Sequence, residues 1–352
     1  MPGTMGYPTF VAGTDADGVD RAFDEIVRAL AGNDICFMFG AGMSAECKAP
    51  IGAELSVQLL RLFFPKEGTN PPTDERLKQL AWEYPFEATV EAIEKNINYQ
   101  RAALTDALTR VLINKDYPLS KAHEDFVAIC SWWGVPVPDQ IFTTNFDLLL
   151  EKAIGVDRTV TISEKNASDI EKVKRKGLLP IVHLHGVLNG DYQITESDVY
   201  TQEFRVTHAA LHSDLFNAKA VVFVGYSMTD PDFRRIYMEY RDQWKTRHQN
   251  KEKTTYVVGP AHDEFSYRFG KKVWATRGAE WIPLTAGDFF GKLKGLMAIH
   301  AEADTLEELK TKYGRADENA VEDLLKTTTE ILHITRAEAL VFLREARSHF
   351  GG

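Results

Sequence analysis

The chain of 352 residues carries 41 Lys and Arg against 51 Asp and Glu, a net charge of -10, with 44% hydrophobic and 26% charged residues. That balance supports a large core in one or two domains and excludes a low-complexity or collagen-like protein. It also argues against broad binding to a phosphate backbone, so no direct nucleic-acid contact is expected, and no apolar run reaches the ~20 residues that span a bilayer.

Residues 1–18 are rich in Gly, Pro, Thr and Asp and read as a loosely ordered arm without the basic-then-apolar order of a leader, so a cytoplasmic location is expected. Val19, Phe23, Ile26, Val27 and Leu30 recur at helical spacing, and Gly32 closes that helix. The run ICFMF (35–39) then predicts a buried strand that enters Gly40-Ala41-Gly42, with a helix beginning near Ser44. From Leu55 to Cys130 the apolar spacing is helical in AELSVQLLRLFF, FEATVEAIEKNINYQRAALTDALTRVLI and SKAHEDFVAICSWW, which predicts a helical insertion over about 55–133. Strands return at QIFTTN (140–145), LLPIVHLHG (178–186), AVVFVGYS (220–227) and TTYVVGP (254–260), and after about residue 286 the chain reads as helical again.

Near-continuous apolar strands alternating with helical segments predict an α/β fold with a mostly parallel sheet covered on both faces. In such sheets ligands sit at the carboxyl ends of the strands, so the residues after each run are the ones to inspect. Gly40-x-Gly42-x-x-Ala45 fits the loose dinucleotide fingerprint, and a tight turn without a ligand explains it equally well. A dehydrogenase would need an acidic residue about 20 positions on, where LLRLFFPKEG lies in the helical insertion. A phosphate loop of the Walker type fails because no Gly-Lys-Ser or Gly-Lys-Thr follows the turn.

GAGMS (40–44), TTNFD (143–147), LHG (184–186) and GYSMTD (225–230), taken in order and spacing, resemble the sirtuin-like family over about residues 30–290. TTNFDLLLEKA, VHLHGVLNGDYQITESDVY and VVFVGYSMTDPDFRRIY look more narrowly like its prokaryotic branch that degrades NAD in defence against phage. Sirtuins that deacylate lysine carry a zinc module of four cysteines; this chain has only Cys36, Cys47 and Cys130, so the deacylase reading drops and no metal is expected. The segment CKAPIGAEL also departs from the deacylase run Gly-Ile-Pro-Asp-Phe-Arg, with Lys48 where the family usually has Gly and Gly52 where the branch often has Trp.

The resemblance implies a Rossmann-like, sirtuin-like NAD-binding catalytic domain over residues 19–298, with residues 299–352 as a C-terminal helical extension. It implies a glycohydrolase that cleaves NAD, its substrate, to nicotinamide and ADP-ribose as the toxic effector of an abortive-infection system. Gly40, Ala41 and Gly42 would offer N–H groups to the phosphates and Ser44 a hydroxyl. Asn145 would hold the attacking water or a ribose hydroxyl, Asp147 would meet the nicotinamide end, and Thr144 stands where deacylases have Gln. His185 would be the base; His183, on the same strand face, is its in-sequence competitor, and Gly186 favours His185. Gly225, Tyr226 and Ser227 would approach the adenosine half, with Tyr226 stacking or packing.

Other features have plainer explanations. Asp147 could cap the following helix, Asp230 or Asp232 could start another, EKVKRKG (171–177) is a solvated helix end, and Trp132-Trp133 belongs to a core or an inter-subunit contact. The chain contains no recognisable sensor module, so the family suggests control by a HerA-type ATPase, a short Argonaute-like protein or homo-oligomerisation. A non-catalytic sensor of NAD or an ADP-ribose signal, and an ADP-ribosyl transferase, are the alternative functions.

Overall fold

The structure, a computed structural model, describes residues 16–63, 72–96, 101–113, 115–131, 138–188, 190, 192–200, 205–226, 231–248, 254–297, 318–332 and 339. Seven strands form one parallel sheet: β1 (Ile35–Phe39), β2 (Ile141–Thr143), β3 (Thr159–Ile162), β4 (Leu179–His183), β5 (Ala220–Val224), β6 (Thr255–Val258) and β7 (Glu280–Ile282), in the order β3-β4-β2-β1-β5-β6-β7. With edge strand β3 set aside, this is the doubly wound order 3-2-1-4-5-6, whose switch point lies where β1 meets β5.

The helices are α1 (Ala16–Ala31), α2 (Ala41–Ala45), α3 (Gly52–Phe63), α4 (Asp74–Glu83), α5 (Phe86–Asn96), α6 (Arg101–Leu112), α7 (Lys121–Ser131), α8 (Leu149–Ile154), α9 (Ile170–Arg175), α10 (Glu196–Tyr200), α11 (Val206–Asn217), α12 (Pro231–Arg247), α13 (Glu264–Thr276), α14 (286–297) and α15 (Glu318–Leu332). Among the described residues between β1 and β2 there is no strand, as the helical spacing predicts.

Strand alternation divides β1 between two cores. Ile35, Phe37 and Phe39 join Phe23 and Ile26 of α1, Phe126 of α7, and Phe289 and Phe290 of α14 on one face. Cys36 and Met38 join Val173 of α9, Leu211 and Leu215 of α11, and Tyr237 and Tyr240 of α12 on the other. Phe126 is the hub of the first face, with its ring edge-on to Phe39 at 5.0 Å and tilted against Phe290 at 5.1 Å. A third core holds the helical insertion, where Leu55, Leu59, Val90, Ile93, Leu104 and Leu108 meet Phe146, Leu188 and Ile194 from the loops after β2 and β4. The insertion is therefore seated over the carboxyl ends of those strands.

Two details differ from the sequence expectation. The helix after the glycine turn starts at Ala41 rather than near Ser44 and lasts five residues, because Met43 N–H closes back on Gly40 O and Lys48 takes the left-handed φ of 64°. Strands β3 and β7 carry no continuous apolar run in the sequence, since each lies at a sheet edge with intermediate burial at two positions.

Candidate active site

The carboxyl ends of β1, β2, β4 and β5 lie side by side in the sheet, so the expected site residues are brought to one edge by topology alone. At β1 the glycines do a different task from the one expected. Gly42 N–H donates to Gly225 O at 2.9 Å and Gly40 N–H to Val224 O at 3.0 Å, so neither amide is presented to a phosphate in this structure. A Cβ on Gly42 would lie 2.6 Å from the Gly225 Cα, and one on Gly40 would lie 2.7 Å from Gly225 O. The turn and the β5 loop touch backbone to backbone, a contact only residues without a Cβ allow.

Ser44, expected at the phosphates, is instead 3% exposed and lies beneath the turn. The Asn145 Nδ2 amide donates to Ser44 Oγ at 3.0 Å and to Gly40 O at 3.2 Å, which uses both of its hydrogens. The Ser44 hydroxyl is then free to donate onward to Asp147, whose carboxyl is pushed up by burial and drawn back by Ser44, by Leu149 N–H and by the His183 charge. Asp147 Oδ1 accepts Leu149 N–H at 3.1 Å, so it caps α8 as well. Thr144, half-buried, donates its N–H to Phe39 O and ties the β2 end to β1.

The two histidines at and just beyond the end of β4 part company. His183 is 1% exposed, with Nδ1 2.8 Å from Asn145 O and Nε2 2.9 Å from Glu151 Oε1, so both ring nitrogens are engaged below the site. His185 is half-buried in the turn that follows, where Gly186 takes a φ of 77°, and its ring lies 6.1 Å from that of Phe146. Tyr226 is buried against Phe223, with ring centroids 6.3 Å apart, so it packs. Ser227, Asp230 and the Trp132-Trp133 pair lie outside the described residues.

Sequence reasoning missed Glu151. It stands in DLLLEKAIG among residues of the buried face of α8, where an acidic side chain 4% exposed signals a partner. A cavity of about 370 Å³ between α8, β3 and residues 112–113 and 115–117 includes Glu151 in its lining, but none of the expected site residues.

Residues 139–282, which span β2 to β7, match the SIR2-like domain. The chain carries a SIR2-like region. Solved structures to which the chain is similar include a Sir2 homologue in complex with NAD, at 13% identity, a TM-score of 0.45 and coverage of 83% of this chain and 98% of that one. Another is a mutant Sir2 homologue in complex with ADP-ribose, at 14% identity and a TM-score of 0.41, with coverage of 79% and 98%. No curated protein matches the chain by sequence.

Proposed function

We propose that the chain is an NAD glycohydrolase that releases nicotinamide and ADP-ribose. The observation that carries this reading is the half-buried His185 imidazole in the turn after β4, one ring contact from the loop that bears Asn145 and Asp147, inside the SIR2-like region. The bond between the ribose anomeric carbon and the nicotinamide nitrogen breaks as water adds to that carbon; nicotinamide leaves neutral, and one proton is released. His185, an imidazole within reach of the loop that bears Asn145, takes that proton as general base. Because Asn145 has given both amide hydrogens to Ser44 and Gly40, its Oδ1 is the atom left to accept from the attacking water or a ribose hydroxyl. On the motif resemblance, Asp147 stands at the nicotinamide end, and Thr144, Gly225 and Tyr226 border the dinucleotide.

The role in phage defence rests on the motif resemblance alone. A toxic activity of this kind is held silent until a trigger arrives, and a HerA-type ATPase, a short Argonaute-like protein or homo-oligomerisation supplies the control. The alternative is a non-catalytic sensor of NAD or ADP-ribose, which would use the same turn and strand ends without cleaving the glycosidic bond.

Incubation of the purified full chain with NAD, beside a folded His185→Ala variant, separates the two. Release of nicotinamide by the native chain and a loss on the order of 100-fold or more in the variant supports the hydrolase. Binding of NAD with no release, including during phage challenge of cells that carry the gene in its native neighbourhood, overturns it in favour of the sensor.

A further inference from the structure

His183 faces two groups that accept hydrogen bonds: the Asn145 carbonyl at Nδ1, 2.8 Å away, and the Glu151 carboxylate at Nε2, 2.9 Å away. A neutral imidazole carries one N–H and cannot serve both. Either the ring holds two protons and Glu151 is ionised, or Glu151 is protonated and gives its hydrogen to the ring. Thr161 Oγ1 donates to the same Glu151 oxygen at 2.8 Å, which favours the ionised carboxylate, and imidazole is by reference the stronger base by about two pKa units.

We propose that Glu151 and His183 are positioning residues for Asn145, a buried imidazolium–carboxylate pair whose Nδ1–H holds the Asn145 carbonyl and thereby fixes the Asn145 side chain against the glycine turn. The inference rests on the reading of Asn145 as the group that orients the attacking water. The pair acts from below, since His183 is 1% and Glu151 4% exposed, and it spans elements distant in sequence: α8, the end of β4 and the loop after β2.

The groups that face His183 among the described residues all point one way. Burial opposes its charge; Glu151 from α8, the Asn145 carbonyl and Asp147 from the loop before α8 support it, and the balance raises its pKa above the ordinary histidine value. Glu151 Oε2 is buried and has no hydrogen-bond partner among the described residues, so the imidazolium and the Thr161 hydroxyl, both on Oε1, are its compensation. Removing the negative charge returns His183 to a buried, neutral ring, which presents a lone pair to one of its two acceptors.

Histidine side-chain ¹⁵N spectra of the full chain, with His183 assigned through its loss in His183→Gln, test the pair without NAD. The native chain should show both His183 nitrogens protonated at about pH 8, well above the reference value of about 6.5, and Glu151→Gln should show a neutral ring. In turnover, Glu151→Gln should lose kcat on the order of 10- to 100-fold at about pH 8 with KM for NAD little changed. The loss should shrink only as pH falls well below the ordinary histidine value, because burial holds the variant's uncompensated ring neutral until then. Glu151→Asp, which keeps the charge, should restore most of the native profile.

A neutral His183 in the native chain overturns the proposal, as does a loss in Glu151→Gln that is equal at every pH and tracks lost folded protein. If the native chain releases no nicotinamide, the hydrolase reading fails separately. The Asn145 carbonyl ¹³C shift in Glu151→Gln then decides: a shift that titrates with His183 supports the positioning role, and an unchanged one overturns it.

Discussion

Asp147 is 8% exposed, and burial is the largest influence on its carboxyl, raising the pKa against the pull of Ser44, Leu149 N–H and His183. The sign of the linkage follows. A carboxyl that protonates more readily folded than unfolded stabilises the fold at low pH, and that contribution fades as pH rises through the folded pKa. His183 has the same sign, since its raised pKa favours the folded state below the ordinary histidine value and the benefit is lost as pH climbs past the raised one. Asp147→Asn keeps an oxygen for Leu149 N–H but removes the charge. Denaturant melts across pH should therefore show a flatter profile for the variant, with neutral-pH stability equal to or above the native chain. Nicotinamide release should fall on the order of 10- to 100-fold, the scale of one charged hydrogen bond of about 1.5–3 kcal/mol. A variant that loses neutral-pH stability instead would show Asp147 to be chiefly the cap of α8.

Between elements, the contact of the β1 turn with the β5 loop has little tolerance. Gly225 takes a φ of 63°, and a Cβ there would lie 2.4 Å from Met43 N and 2.6 Å from the Gly42 carbonyl carbon. Gly225→Ala combines left-handed strain with forced separation of two backbones, about 3 kcal/mol together, and thermal unfolding should show that loss whether or not NAD is present. A neutral outcome would mean that the two loops are apart in solution. This contact also shows where the sequence is ambiguous. Strands β1 and β5 are legible because both faces are buried and their apolar runs are continuous, whereas TVTI at β3 and EWI at β7 are short edge strands with no such signature. Gly40-x-Gly42 signals a missing Cβ, but a phosphate and a second backbone ask for the same absence; the partner, Gly225, is 183 residues beyond Gly42 (225 − 42) and invisible to local spacing. The Glu151–His183 pair escaped for the same reason, since helix and strand patterns report periodicity and not which buried charges meet.

At the scale of the whole molecule, the helical insertion is tied to the sheet by polar as well as apolar contacts, and Arg101 is their centre. Its guanidinium lies 2.7 Å from Glu94 and 2.6 Å from Asp198, with Cζ 4.7 Å from the Tyr192 ring centroid. Asp198 in turn accepts Ile194 and Thr195 N–H, so burial raises its pKa less than Arg101 and these amides lower it. Beside it Glu91 accepts Ser197 N–H at 2.7 Å, which makes the 192–198 segment a strap held by α5 and α6. The strap leads to the site: Tyr192 stands edge-on to Phe146 at 6.3 Å, and Phe146 meets His185 at 6.1 Å. Arg101→Ala leaves two carboxylates without their cation and takes the flat face from Tyr192, a loss of roughly 2 kcal/mol at a half-buried position. Lysine should restore little of it, because a point charge cannot bridge Glu94 and Asp198 in a fork. Hydrogen exchange in Arg101→Ala should therefore rise in residues 192–198 and in the turn that carries His185, while amides of β1 and β5 keep their protection. NAD turnover should weaken mainly through KM, since the chemical groups remain and only their cover loosens. Exchange that rises evenly across the sheet would instead make Arg101 a support of global stability, with no particular bearing on the strap or on His185.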